Sequence, residues 1–221
     1  MIDIIIPTTF EPDLAYGCVQ SILNNIKDVK YEITVVDNLS SPVFSMESCK
    51  IRRFEKQLGF AKVMNEGIQN TKGDYVLLLN NDTLIQQPNF LSNLIQTIDS
   101  EPNVGIVSPM TNFICTAQAR AQDLNSITNQ VIDHPHHIAA VCWLLKRETI
   151  NKIGMFDENF KIGAFEDGDY CQRILNAGYK IKIDGRSFLF HYGSRTVSKT
   201  FGYYEAFQEN SNYYHTKWNI K

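Results

Sequence analysis

Apolar positions in this chain fall into short continuous runs, and between them lie segments of helical period. Ile2–Ile6 is such a run and predicts a strand. Pro12 and Asp13 then open a helix reaching to about Ile26, because proline and an acid both suit a first helical turn. Glu32–Val36 predicts a second strand and Ile51–Phe54 a shorter one. From Phe60 to about Asn70, Ala61, Met64 and Ile68 share one helical face. Tyr75–Leu79 is the next strand. Pro88 helps to start a helix striped by Phe90, Leu91, Leu94, Ile95 and Ile98, and Val104–Val107 follows as a strand. The run Val76–Leu79 lacks polar alternation, as expected of a strand covered on both faces. Strands alternating with helices predict an α/β fold, with a mostly parallel central sheet and helices on both faces.

The second half is less regular. Residues from about 108 to 136 are polar without a clear period and read as loops or weak structure. Ile138–Leu145 predicts a strand. Asp169–Ala177 predicts a helix with Cys171, Ile174 and Leu175 on one face and Gly178 as its terminator. Tyr179–Ile183 and Ser187–Phe190 read as two more strands. Tyr203, Phe207, Tyr214 and Trp218 fall on one face of a last helix over about 203–219, packed on the domain or on a partner, a second copy of the chain included.

Composition narrows the class without naming it. The 221 residues fit one domain with a sizeable core, 43% apolar and 20% charged. A net charge of −3 gives no support for a nucleic-acid partner. The N-terminus carries an acid at Asp3, no basic flank and an early Pro7, so no secretory signal is expected. The longest fully apolar run, Ile138–Leu145, is far short of the roughly 20 residues a membrane span needs, which leaves only peripheral contact with a membrane. Cysteines 18, 49, 115, 142 and 171 are odd in number and contain no C-x-x-C, the pattern of reduced thiols in a cytoplasmic protein.

In an open α/β sheet, ligands bind beyond the carboxyl ends of the strands. Pro7, Thr8, Thr9 and Glu11 follow the first strand, Asp37 and Asn38 the second, and Asn80, Asn81 and Asp82 the strand at 75–79. Asp37 is placed to accept from a base N–H or a ribose hydroxyl; it also begins Asp-Asn-Leu-Ser, good turn chemistry. Neither G-x-G-x-x-G nor G-x-x-x-x-G-K-[ST] occurs, which argues against a nicotinamide enzyme and a P-loop NTPase. Without a glycine-rich cradle a diphosphate needs a cation, and Asp82 could hold a hard divalent ion; the bland alternative is a turn or capping aspartate. Glu166, Asp167 and Asp169 crowd a helix start, where acids are favoured anyway. One of them could act as a general base. His191 ends an apolar strand on the same edge as Asp82. His134, His136 and His137 are its rivals for a metal, in a Pro135-containing polar loop.

Together these segments resemble the family 2 glycosyltransferases of GT-A fold. "IIIPTTFE" looks like the family's first strand and turn, "ITVVDNLS" like its nucleoside-binding segment, and "QLGFAKVMNEGI" like its Gly-Phe…Asn-x-Gly stretch, which brings in Gly59 and Asn65. "GDYVLLLNNDT" matches the strand ending in a D-x-D-like metal motif; "IGMFDENF", "FEDGDYCQRILNAGYKI" and "HYGSRT" match the acceptor-side segments. The resemblance covers about residues 2–196 and is nearest to polysaccharide-building, rhamnosyltransferase-like members. It implies a single catalytic domain over 1–221, with a nucleotide-binding half at about 1–107 and an acceptor-side half at about 108–200. Ending at Lys221, the chain is expected to be a minimal catalytic domain or a fragment.

The resemblance also implies roles. Asp37 would contact the base of a nucleoside-diphosphate sugar (UDP, dTDP or GDP linked), with Pro7, Thr8, Glu11 and Asn38 beside it. Asp82 and His191 would bind Mn²⁺ or Mg²⁺, with Asn80 and Asn81 at the same strand end. Asp167 would deprotonate the hydroxyl of a glycan or lipid-linked acceptor, Glu166 and Asp169 positioning it, and the reaction would invert the anomeric centre. Trp143 would wall the sugar pocket, or else be a core aromatic. Two other classes stay open: a nucleotide-sugar binder without turnover, and a sugar nucleotidyltransferase. The acidic, glycine-free "PTTFEPD" argues against the second.

Overall fold

The isoleucine run at the N-terminus forms an inner strand of a nine-stranded sheet. The computed structural model describes residues 1–10, 12–113, 121–134, 136–193 and 201–220. In chain order the elements are β1 (Ile2–Thr8), α1 (Asp13–Asn25), β2 (Tyr31–Asp37), β3 (Lys50–Arg53), α2 (Phe60–Gln69), β4 (Tyr75–Leu79), β5 (Thr83–Ile85) and α3 (Phe90–Ile98). They continue with β6 (Val104–Thr111), a 3-10 turn (Leu124–Ser126), β7 (Val131–Asp133), β8 (Cys142–Lys146), α4 (Arg147–Ile153), α5 (Glu166–Asn176), β9 (Lys180–His191) and α6 (Tyr203–Trp218).

The sheet order is β3-β2-β1-β4-β8-β6-β9-β5, with β7 also paired to β9. The pairs β2–β3, β1–β2, β1–β4 and β6–β9 are parallel; β8 runs antiparallel to both of its neighbours, and β5 and β7 antiparallel to β9. Strands β1 to β4, β6 and β9 therefore point the same way, so their carboxyl ends share one edge.

Both faces of the sheet are covered, which explains the unbroken apolar runs. Ile4, Ile6, Leu77, Leu79 and Leu144 face α1 and α3 in one cluster. Ile5, Val76, Leu78, Trp143 and Leu145 face α2, α4 and α5 in the other. Truncating one of these, Leu77→Ala for instance, would cost about 2–5 kcal/mol. Gly67 lets α2 press on β1, since a Cβ there would collide with the side chain of Ile5.

Several boundaries differ from expectation. Of the run at 138–145 only residues 142–145 join the sheet, in a strand that reaches on to Lys146; Val141, in a turn just before it, accepts from Asn80 N–H at 2.9 Å. The two strands expected at 179–190 are one bent strand, β9, whose register against β6 shifts beside Pro109; proline lacks the ladder donor and suits such an irregularity. Helix α5 starts at Glu166, so all three acids sit in its first turn. Short β5, β7 and α4 were not foreseen. No helix among the described residues is long and apolar enough to cross a membrane.

Candidate active site

At the shared carboxyl edge the strand ends open into a cavity of about 570 Å³. Pro7, Thr8 and Asn38 line one side, Asn80, Asn81, Asp82 and His191 the floor, and Glu166 and Asp167 the far side. Short polar bonds tie these ends together. Asn38 N–H donates to Thr8 O at 2.7 Å, and its side-chain amide exchanges two bonds with the backbone of Leu58, at 2.9 and 2.8 Å. Asn81 Nδ2 donates to Thr8 Oγ1 at 3.3 Å.

The β5–β9 register pairs Thr83 with His191 and so delivers the imidazole to the carboxylate next to Thr83. His191 Nε2 lies 3.3 Å from Asp82 Oδ1, and both side chains are 8% exposed. His191 Nδ1 is 2.7 Å from Phe113 O. A carbonyl only accepts, so Nδ1 carries a proton and Nε2 is left to face Asp82. Burial acts to lower the His191 pKa, but the bond to Asp82, its charge and the Phe113 carbonyl outweigh burial and raise it.

This donor set fits a hard or borderline divalent cation. A carboxylate and an imidazole held by a carbonyl stand together, and Asn80 Oδ1 beside them is buried without a hydrogen-bond partner. Among the described residues no three His, Cys, Asp or Glu side chains are arranged to hold a metal ion by themselves, so the protein offers a cation few ligands, and a bound phosphate would have to complete its shell.

On the far side, the loop before α5 lines the cavity and ends at Phe165. Burial and the neighbouring Asp167 charge push Glu166 up to about 8. Its Oε2 is buried with no partner. Burial raises Asp167 as well, while the Gly168 N–H, 2.7 Å from Asp167 Oδ1, and the charge of His137 pull it back part of the way. Both carboxyls of this buried pair are therefore raised and hold a proton more readily than free acids.

Other expected site residues do not line the cavity. The Asp37 carboxylate is fully buried, takes the Ser40 N–H at 2.7 Å and pairs with Arg53. It is the last residue of β2 and closes its own turn. Asn65 uses its amide on the backbone of Phe156, as donor and acceptor at 2.9 Å, and on Glu158. Gly59 caps α2; a Cβ there would sit 3.0 Å from Ile162 N, so its smallness serves loop packing. Trp143 is a core aromatic, fully buried and stacked on Phe156 at 6.1 Å. Asp169 is held by Arg173 at 2.9 Å, Lys217 at 2.7 Å and Trp218 Nε1 at 3.1 Å, so its carboxylate is engaged with α5 and α6 and does not line the cavity. Glu11 and Cys115 lie outside the described residues.

The cavity also takes in residues not singled out from the sequence. Gln57, Leu58 and Ile162–Phe165 line it; so do His137, expected in an exposed loop, and Tyr203, Phe207 and Tyr214 of the aromatic face on α6. The aromatic face expected on that helix thus covers the chain's own cavity.

The chain is similar to known proteins. Residues 3–154 match Glycosyl transferase family 2. The uncharacterized protein y4gI of Sinorhizobium fredii is 23% identical over 88% of this chain and 24% of its own length. The minor teichoic acid biosynthesis protein GgaB of Bacillus subtilis is 24% identical over 80% of this chain and 21% of its own. The O-antigen biosynthesis protein RfbC of Myxococcus xanthus is 23% identical over 87% of this chain and 17% of its own. The chain thus spans a quarter or less of the length of these curated relatives. Among solved structures, GalNAc-T7 with UDP, GalNAc and Mn²⁺ superposes with a TM-score of 0.71 at 16% identity, over 97% of this chain and 50% of that one. The mannosyltransferase PcManGT from Pyrobaculum calidifontis, in complex with GDP-Man and Mn²⁺, gives 0.66 at 18%, over 88% and 57%. These likenesses establish a GT-A fold. With the match over residues 3–154, the chain belongs to glycosyl transferase family 2.

Proposed function

We propose that the protein is an inverting, metal-dependent glycosyltransferase that moves a sugar from a nucleoside diphosphate to a hydroxyl of a glycan or lipid-linked acceptor. The observation that carries this reading is that one cavity holds both the Asp82–His191 pair and the Glu166–Asp167 pair. The titles of two structural neighbours name UDP or GDP-Man with Mn²⁺, which supports a nucleotide-sugar donor and a divalent cation. Relatives named for teichoic acid and O-antigen biosynthesis support a polysaccharide-type acceptor. The motif string favours the rhamnosyltransferase-like members. The described cysteines are free and three of them buried, which suits a reducing cytoplasm.

Asp82 and His191 would hold the cation, with Asn80 at hand. When bound, it would offset charge on the departing diphosphate. Thr8, Asn38 and Asn81 shape the donor side. Asp167 accepts the proton of the acceptor hydroxyl while that oxygen bonds to the anomeric carbon. The bond to the diphosphate breaks as its oxygen leaves with the electron pair. Glu166, still protonated, offers a hydrogen bond from its buried carboxyl and adds no second negative charge beside the base.

The test is a panel of nucleotide sugars incubated with Mn²⁺ and simple glycan acceptors. Release of nucleoside diphosphate by the wild type and not by Asp167→Asn supports the reading, and anomeric NMR of the product reads the stereochemistry. A retained configuration, or equal release by Asp167→Asn, overturns it.

A further inference from the structure

Asn210 lies on α6, beyond the segment matched by the family, and is 1% exposed, the most buried polar residue of that helix. Its side chain is committed to a single loop. Lys161 N–H donates to Oδ1 at 2.9 Å, and the two N–H groups of Nδ2 are shared among the carbonyls of Lys161 at 2.8 Å and of Gly163 and Ala164 at 3.0 Å. That loop is unusual in its backbone. Ile162, Ala164 and Phe165 have φ of 56°, 84° and 71°, the left-handed region that disfavours residues with a Cβ. Such conformations persist only where their surroundings over-determine them. Here the surroundings are Asn210, the Phe60 N–H bonded to Ile162 O at 2.6 Å, and the Phe165 ring packed on Phe207 and Tyr214 of α6.

Position gives the strain its meaning. Phe165 is the N-cap of α5, and Glu166 and Asp167 follow at once. The direction in which the loop enters α5 sets where both acids leave the helix. Both line the cavity, as do Ile162, Ala164 and Phe165 themselves.

We infer that Asn210 is a positioning residue for the transfer reaction: it holds loop 161–165 in the left-handed conformation that aims Asp167 into the cavity, without touching substrate. The inference rests on the transferase reading above. It makes α6 part of the catalytic apparatus and not merely a helix packed on the domain.

The test compares Asn210→Ala and Asn210→Asp with Glu209→Gln in the full chain. Glu209→Gln removes only the exposed Lys161–Glu209 pair one residue away. Initial rates of nucleoside diphosphate release are measured against donor concentration, well below each variant's Tm. Both Asn210 variants are expected to lose about tenfold or more in kcat, while donor KM and the nucleotide–Mn²⁺ thermal shift stay within about twofold. Glu209→Gln should behave as wild type. A clamp that only stabilises the fold would lower Tm and leave kcat of the folded enzyme unchanged, and that result overturns the inference. If Asn210→Ala does not fold, Asn210→Asp decides alone, since it keeps the size and the acceptor and lacks both donors. Absence of release by the wild type with any donor sinks the transferase reading and this inference with it; wild-type rates in both Asn210 variants sink the inference alone.

Discussion

His191 Nε2 stands 3.3 Å from Asp82 Oδ1, and a three-residue strand puts it there, because Thr83 in β5 pairs with His191 in β9. Removing either ligand should uncouple nucleotide binding from the cation. Asp82→Ala and His191→Ala are expected to weaken Mn²⁺-dependent binding of the donor nucleotide by more than about tenfold, read by calorimetry. With an imidazole among the ligands, turnover in Mn²⁺ should exceed that in Mg²⁺; far higher turnover in Mg²⁺ would contradict this.

The two acids at the start of α5 should separate cleanly. Asp167→Asn is expected to lower kcat by about 10²–10⁴-fold with donor affinity unchanged. Glu166→Gln should keep most of the rate, because an amide donates a hydrogen bond as a protonated carboxyl does. A dead Glu166→Gln beside an active Asp167→Asn would exchange their roles.

Glu166 also makes stability depend on pH. Its carboxyl is pushed from 4.5 up to about 8 in the fold. Between those values the folded protein keeps a proton that the unfolded chain has released, so stability falls as pH rises. The contribution is complete below the unfolded pKa and lost on rising through the folded one, with a slope of at most about 1.4 kcal/mol per pH unit. Wild-type Tm should therefore fall from about pH 5 to 8, and Glu166→Gln should flatten that fall, leaving the decline that the raised Asp167 and His191 contribute in the same direction. Parallel Tm profiles for the two proteins would refute the assignment.

Asp169 is a different case. Asp169→Ala would leave Arg173 and Lys217 without their buried partner. The expected loss is about 3 kcal/mol, a Tm drop on the order of 10 °C at this chain length, seen by calorimetry. Its effect on catalysis should follow stability alone.

How much of this was legible in the sequence depends on where each residue's partners lie. Strands such as β1 and β4 carry apolar runs that only two-sided burial explains, and α2 and α3 announce themselves by one apolar stripe. That Asp82, Asp167 and His191 would come to one cavity was legible because each follows or opens an element at the sheet edge. Asp37, Asn65 and Asp169 stand at equally suggestive places; the turn bond to Ser40 and the pair with Arg173 four residues on are local, but the partners Arg53, Phe156 and Lys217 come from elsewhere in the chain, and no local pattern betrays those. Trp143 was ambiguous for a related reason: a strand covered on both faces gives no sign of which way an aromatic points. Asn210 was invisible. In "ENSNYY" it looks like one more solvated amide, and only the packing of α6 on loop 161–165 buries it. Short β5 and α4 lack the length for a readable period.

The most direct measurement is the thermal stability of the wild type with UDP, GDP, dTDP and CDP, each with and without Mn²⁺, alongside Asp82→Ala. A nucleotide at about 100 times its Kd stabilises by about 2.7 kcal/mol, a shift of roughly 5–10 °C at this size. The account predicts such a shift for at least one nucleotide, present with Mn²⁺, absent without it, and lost in Asp82→Ala. No shift with any of the four, or the same shift without the metal or in Asp82→Ala, would contradict it.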